Sequence, residues 1–135
     1  MRYSYQRITI INLRKPSEKS LNKELQWFGT SLGLFNLRDK DKSLFRIFIE
    51  LLKSAKSKKT LSSDELALRL GLTRGTVVHH INKLISAGIV VTEGNKYALR
   101  VDNLKDLVEQ VERDIKRTCE ELKEVADDID RNLGL

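Results

Sequence analysis

A mainly helical fold that carries one small β-ribbon and ends in a long helix is what this 135-residue chain predicts. Three observations lead there. Residues 60–101, TLSSDELALRLGLTRGTVVHHINKLISAGIVVTEGNKYALRV, hold two short helical patterns stopped at Gly71 and Gly88, then two β-rich runs flanking a turn-forming segment. Residues 43–55, SLFRIFIELLKSA, are apolar around more than half of a helical wheel, as in a helix buried between layers. Residues 103–132 run without a breaker, with Val108, Ile115, Leu122 and Ile129 recurring every seventh position.

Composition bounds what such a chain can be. Its length supports one domain with extensions, and 40% hydrophobic with 33% charged residues belongs to a folded chain rather than a disordered one. No apolar run approaches the roughly 20 residues of a membrane span, and the N-terminus lacks the apolar stretch and cleavage site of a secretory signal. The single cysteine, Cys119, cannot close an intrachain disulfide, which suits a reducing cytoplasm, the expected location. The net charge of +6 is unevenly placed. Residues 1–34 carry six Lys/Arg against two Asp/Glu, residues 35–100 thirteen against six, and residues 101–135 six against eleven. A basic centre followed by an acidic end points to a polyanion as partner of the centre alone.

Taken in order, residues 3–13 are rich in Tyr, Ile and Thr and partly alternate, so they are expected as a strand or extended arm. Such an arm can pair with the ribbon, exchange with a second subunit or lie over nucleic acid, and the sequence leaves all three open. Pro16 and Ser17 suit a helix start, predicting a packing helix over 17–32 with Leu21, Leu25, Phe28 and Leu32 inward, Trp27 off that stripe, and Gly33 as its stop. Residues 36–42 read as a polar connector, and AKSKK after the apolar helix as a basic loop.

Ser62 with Glu65 three residues on is a capping-box pattern, opening a helix over 63–70. Leu66 and Leu70 face inward, Ala67 permits close helix approach, Gly71 ends the helix and Leu72 plugs the core from the turn. Thr73 caps a second helix, 74–87, with Val77, Ile81 and Leu84 on its core face. Arg74, Gly75, Val78, His79 and Asn82 lie opposite, flanked by Thr76 and Lys83. This outward set suits a DNA major groove: Arg74 can donate two hydrogen bonds to guanine, Asn82 can pair with adenine, Val78 can meet a thymine methyl and Lys83 can reach phosphate. Gly75 either lets the helix approach a nucleic-acid backbone or tolerates crowding in its own first turn. His79 and His80 project about 100° apart and do not converge on one metal ion, so no metal site is expected; His79 is assigned to nucleic acid and His80 to the boundary. In the ribbon, Ile89–Val91 and Tyr97–Val101 pair about Thr92–Lys96, with Asn95, Lys96 and Arg100 placed to meet phosphates.

The spacing of Leu66, Leu70, Gly71, Leu72, Thr73, Thr76, Val77, His80, Ile81, Leu84, Ala87, Gly88 and Ile89 resembles winged helix-turn-helix transcription regulators of bacteria and archaea, of the arsenic-repressor and multiple-antibiotic-resistance-repressor type. The resemblance covers about residues 43–101. It implies a winged helix-turn-helix domain in which Arg74, Thr76, Val78 and His79 face DNA, although relatives more usually have a small polar residue where Val78 stands. The paired cysteines or histidines of the metal-sensing members are absent, so metal sensing is not implied.

The last helix, capped by Asp102 and about 45 Å long at 1.5 Å per residue, interleaves Leu104, Val111, Thr118 and Val125 with the heptad row Val108, Ile115, Leu122 and Ile129. This is a seam for a second copy of the chain, for the chain's own helix 17–32, or for both. Cys119 at its border is either a small apolar residue or an intermolecular redox site. The expected organisation is an arm and packing helix (1–34), a winged helix-turn-helix domain (35–101) and a dimerisation helix (102–135). The expected function is a homodimeric DNA-binding transcriptional regulator without cofactor, whose small-molecule effector is not readable. The alternative is a winged-helix protein-interaction module lacking sequence-specific DNA binding. No nucleophile–base pair, phosphate-cradling glycine loop or ligand cluster suggests an enzyme.

Overall fold

In the computed structural model, which describes residues 5–35 and 42–135, five helices and a three-stranded sheet follow one another as α1 (Leu21–Ser31), α2 (Ser43–Ala55), β1 (Leu61–Ser62), α3 (Ser63–Leu70), α4 (Arg74–Ser86), β2 (Val90–Glu93), β3 (Lys96–Leu99) and α5 (Leu104–Leu133). The mainly helical fold with a β-wing and long C-terminal helix is the one expected. All but the last residue of the 36–42 connector lies outside the described residues.

α2 is the hub because its apolar residues cover most of its circumference. Ile47, Phe48 and Leu51 are buried, joined there by Leu66 of α3, Val77, Ile81 and Leu84 of α4, Leu61, Ile89, Val90 and Leu99 around the sheet, and Leu107 of α5. Phe48 sits between the rings of Phe28 and Phe45, with centroids 6.5 and 6.3 Å away. Arg46 also leaves α2 to donate to the carbonyl of Leu70 at 2.6 Å, satisfying an acceptor that the end of α3 leaves orphaned.

The sheet is antiparallel in the order β1-β3-β2. Glu93 pairs with Lys96 across the tip and Val90 with Leu99 at the base, so Gly94–Asn95 form a two-residue turn. β1, where Leu61 faces Tyr97 and Ser62 faces Lys96, has no counterpart among the expected elements. Two residues are too short to leave an alternation pattern. They are extended because buried Leu61 anchors the chain just before the α3 cap.

Of the two forms expected for residues 3–13, the described part, 5–13, takes the extended arm: the Arg7 amide donates to Ser86 O and the Ile11 amide to Ser31 O, a spacing that follows no ladder. Two expectations need correction. α1 starts four residues later than expected, since Ser20 rather than Ser17 supplies the cap, its hydroxyl accepting from the Lys23 amide. Leu21 is consequently exposed, while Pro16 and Lys15 border a groove beside Trp27, whose indole donates to Leu13 O. α5 is capped by Asn103, not Asp102, with the Asn103 Oδ1 accepting from the Asp106 amide at 2.9 Å. The 30 residues of α5 divide in two. Leu107, Val111 and Asp114 are buried against the domain and Leu104 packs on its core, whereas every residue from Lys116 onward is exposed.

Candidate nucleic-acid interface

α3 and α4 are fixed by caps and a tight turn. Ser62 Oγ accepts from the Glu65 amide and the Glu65 carboxylate accepts from the Ser62 amide, each at 3.1 Å, completing the capping box. The Ser62 hydrogen bonds, with Lys96 and Arg69 nearby, hold the Glu65 carboxyl below its ordinary pKa. Gly71 has φ +65°, a left-handed conformation that ends α3 and turns the chain towards Thr73. Thr73 Oγ1 then accepts from the Thr76 amide at 3.1 Å and caps α4.

On α4 the inward and outward faces separate as the wheel requires. Val77, Ile81 and Leu84 are 0–1% exposed. Arg74, Gly75, His79, Asn82 and Lys83 are exposed, Thr76 and Val78 half-buried, and Thr73 exposed in the turn. His80 is half-buried at the boundary, its ring tilted against His79 at 5.4 Å between centroids. No three potential metal ligands converge among the described residues. A Cβ built on Gly75 would meet nothing within 4 Å, so crowding inside the chain is not the reason for glycine there.

The cations of this surface are not equivalent. Arg74 Nε lies 3.5 Å from Asp64 Oδ1 and 3.4 Å from Ser63 Oγ, at the first turn of α3. Lys96 Nζ lies 3.7 Å from Glu65 Oε1. Both pairs are solvent-exposed and weak, so either cation can exchange its carboxylate for a phosphate at small cost. Asn95 is exposed at the wing tip beside Lys96. Arg100 does not join this surface, contrary to expectation. Its guanidinium donates to Asp114 Oδ1 and Oδ2 at 3.2 and 2.5 Å and is held inside the fold.

That pairing belongs to a junction not anticipated from sequence. Asp114, buried on α5, also accepts from Gln6 Nε2 at 2.9 Å and Arg117 Nη2 at 3.2 Å. Gln6 donates in addition to Ala87 O at 3.1 Å, tying the arm to the end of α4. Hydrogen bonds from Arg100 first, then Gln6, hold the Asp114 carboxyl below the usual aspartate range, and the hydrogen bond to Asp114 holds the Arg100 guanidinium above its own, against the burial of both. Gly88, at φ +80°, leaves the room Gln6 occupies; a Cβ there would collide with the Gln6 amide. One signal was available beforehand: Asp114 continues the helical row of Leu107 and Val111, where an acid needs a buried partner.

Of the residues assigned to a dimer seam, Leu104 and Val111 lie against the chain's own core and Ile115 is half-buried. Val108, Leu122, Val125 and Ile129 are exposed, as is the free Cys119. Ile10, Leu32, Leu107, Val108, Val111 and Ile115 line an apolar groove of about 280 Å³ where this stripe meets α1 and the arm. No helix of the described residues is long and apolar enough to cross a membrane.

Comparison with curated proteins and with solved structures gives no match to this chain. Residues 40–91, from the connector to the first wing strand, match the model of a family described as winged helix-turn-helix DNA-binding.

Proposed function

We propose that this protein is a homodimeric transcriptional regulator that binds double-stranded DNA in the cytoplasm, with α4 in the major groove and the wing, 89–101, against the backbone. The observation that carries the reading is the two-sidedness of α4: three aliphatic side chains hold it upright while Arg74, His79, Asn82 and Lys83 are exposed beside a glycine with open space before it. The match of residues 40–91 to winged helix-turn-helix DNA-binding domains supports DNA as the ligand. The resemblance in the 66–89 spacing supports a regulator of the arsenic-repressor or multiple-antibiotic-resistance-repressor type. Thr73, Gly75, Thr76, Val78 and Asn95 complete the proposed contact set.

Dimerisation is supported by the distal part of α5, which carries Leu122, Val125, Ile129 and Leu133 uncovered along one stripe of a helix whose proximal part is packed. In water an unpartnered stripe of this kind is stabilised by a second copy. The proposed units are the arm and α1 (1–34), the winged domain (35–101) and the dimer helix (102–135).

Binding-site selection from random duplexes tests the reading. The expected product is a pseudo-palindrome with half-sites about 34 Å apart or a multiple of that. Replacing Arg74 by Ala should cost roughly 1–3 kcal/mol and relax preference at one position, whereas replacing Lys96 should weaken all duplexes alike. Absence of any salt-dependent duplex binding would leave the protein-interaction module as the surviving description.

A further inference from the structure

The N-terminal arm crosses the C-terminal end of α4 and is held there at three points. The Arg7 amide donates to Ser86 O at 2.8 Å, and Gln6 Nε2 donates both to Ala87 O and to the buried carboxylate of Asp114. A two-residue segment gripped this way has a fixed register. It sets the Arg7 side chain, exposed to solvent, on the wall of a cleft of about 520 Å³ whose opposite wall is His79, Asn82 and Lys83 of α4. Among the described residues that line the cleft there is no Asp or Glu.

Charge distinguishes this end of α4 from the other. At the N-terminal end Arg74 and Lys96 each face a carboxylate of α3. Among the described residues Arg7 and Lys83 have no ion-pair partner, in contrast to Arg74 and Lys96. Guanidinium and ammonium groups facing each other across this cleft, beside the face read as groove-facing, complement one thing in particular: the phosphodiester backbone flanking that groove. We propose that the arm is a third DNA-contacting element, with Arg7 and Lys83 holding one backbone segment at the C-terminal end of α4 and Gln6 acting as the positioning residue that fixes the register of Arg7. The inference rests on the placement of α4 in DNA.

Fluorescence anisotropy of a labelled random-sequence duplex between 50 and 200 mM salt, roughly the range over which phosphate contacts dominate, tests it. Wild type, Arg7→Gln, Arg7→Lys, Lys83→Gln, Gln6→Ala and Arg7→Gln/Gln6→Ala are compared. Loss of one phosphate contact lowers the slope of log K against log salt by about 0.9, which is about eightfold in affinity at ~0.1 M salt. Arg7→Gln and Lys83→Gln should each show that loss and Arg7→Lys should restore the slope. Gln6→Ala should reproduce the Arg7→Gln loss, and the double variant should be no weaker than Arg7→Gln alone. A wild-type slope in Arg7→Gln, with Lys83→Gln reduced, overturns the arm's role and leaves α4 in the groove. Additive losses in the double variant overturn the positioning role of Gln6. Wild-type protein showing no salt-dependent binding overturns both the arm and the reading beneath it.

Discussion

Truncating Asp114 to Ala removes the acceptor at the centre of the junction between arm, α4, wing and α5. The carboxylate side chain is 3% exposed and accepts two hydrogen bonds from Arg100, one from Gln6 and one from Arg117. After truncation Gln6 keeps Ala87 O, and Arg117, 66% exposed, returns to water with little loss. Arg100 is the costly remainder: a guanidinium 27% exposed, left with the Gly88 carbonyl at 3.4 Å. Removing one partner of a buried pair costs about 3–5 kcal/mol, and the partial exposure of Arg100 places this case near 3 kcal/mol. For a chain of this size that lowers Tm by about 10 °C. Urea denaturation followed by far-UV circular dichroism measures it. Replacing both partners, Arg100→Met with Asp114→Leu, should restore stability to within about 1 kcal/mol, because no uncompensated charge remains. A loss below about 1 kcal/mol for the single variant, or an equal loss for the double, would refute the account. Acid adds a signed test. The folded pKa of Asp114 lies below its unfolded value, so its stabilisation is complete above about pH 4 and lost as pH falls through the folded value. The gap between wild type and Asp114→Ala should therefore close under acid and stay constant from about pH 5 upward.

Ser62→Ala removes a capping box in which two backbone donors and a carboxylate are satisfied together, and should cost about 1 kcal/mol in the same denaturation assay. Gly75→Ala should raise stability by up to about 0.5–1 kcal/mol, since the added methyl meets nothing in the chain, yet weaken duplex binding in anisotropy if a DNA backbone approaches there. A stabilised variant with undiminished affinity would remove the close-approach argument. Leu122→Glu/Ile129→Glu places two charges on the uncovered stripe of α5 and should convert a dimer into a folded monomer in sedimentation velocity; an unchanged sedimentation coefficient would move the interface elsewhere.

The winged core was legible because each of its devices leaves a local trace. Ser62 and Glu65 announce one cap, Thr73 another, Gly71 and Gly88 mark both helix ends, and α2 declares its burial through its apolar circumference. The α4 faces followed from the wheel alone. What escaped depends on partners distant in sequence. Gln6 meets Ala87 and Asp114, and Arg100 meets Asp114 across the fold; neither residue carries a local mark of that use. Its charge and its place in the wing point Arg100 to phosphate, whereas the fold turns it to Asp114. The start of α1 differs from the expected one for a related reason. Pro16 is compatible with a helix start, but the chain there packs back beside Trp27, and the next serine supplies the cap.

The heptad row of α5 looked uniform, yet its two ends have different surroundings. Near Leu107 and Val111 the face that a second copy would need is already buried within the chain, and Asp114 locks that arrangement through Arg100. Beyond Arg117 the same stripe continues with no cover over about 25 Å, at 1.5 Å per residue. The helix is thus a rigid lever whose inner end is pinned to the wing base and, through Gln6, to the end of α4. In the proposed dimer the outer ends meet each other, so the separation of the two α4 helices follows from the angle at which the junction sets α5. On this argument half-site spacing is decided at Asp114, remote from any base, while the outward face of α4 decides which bases are preferred.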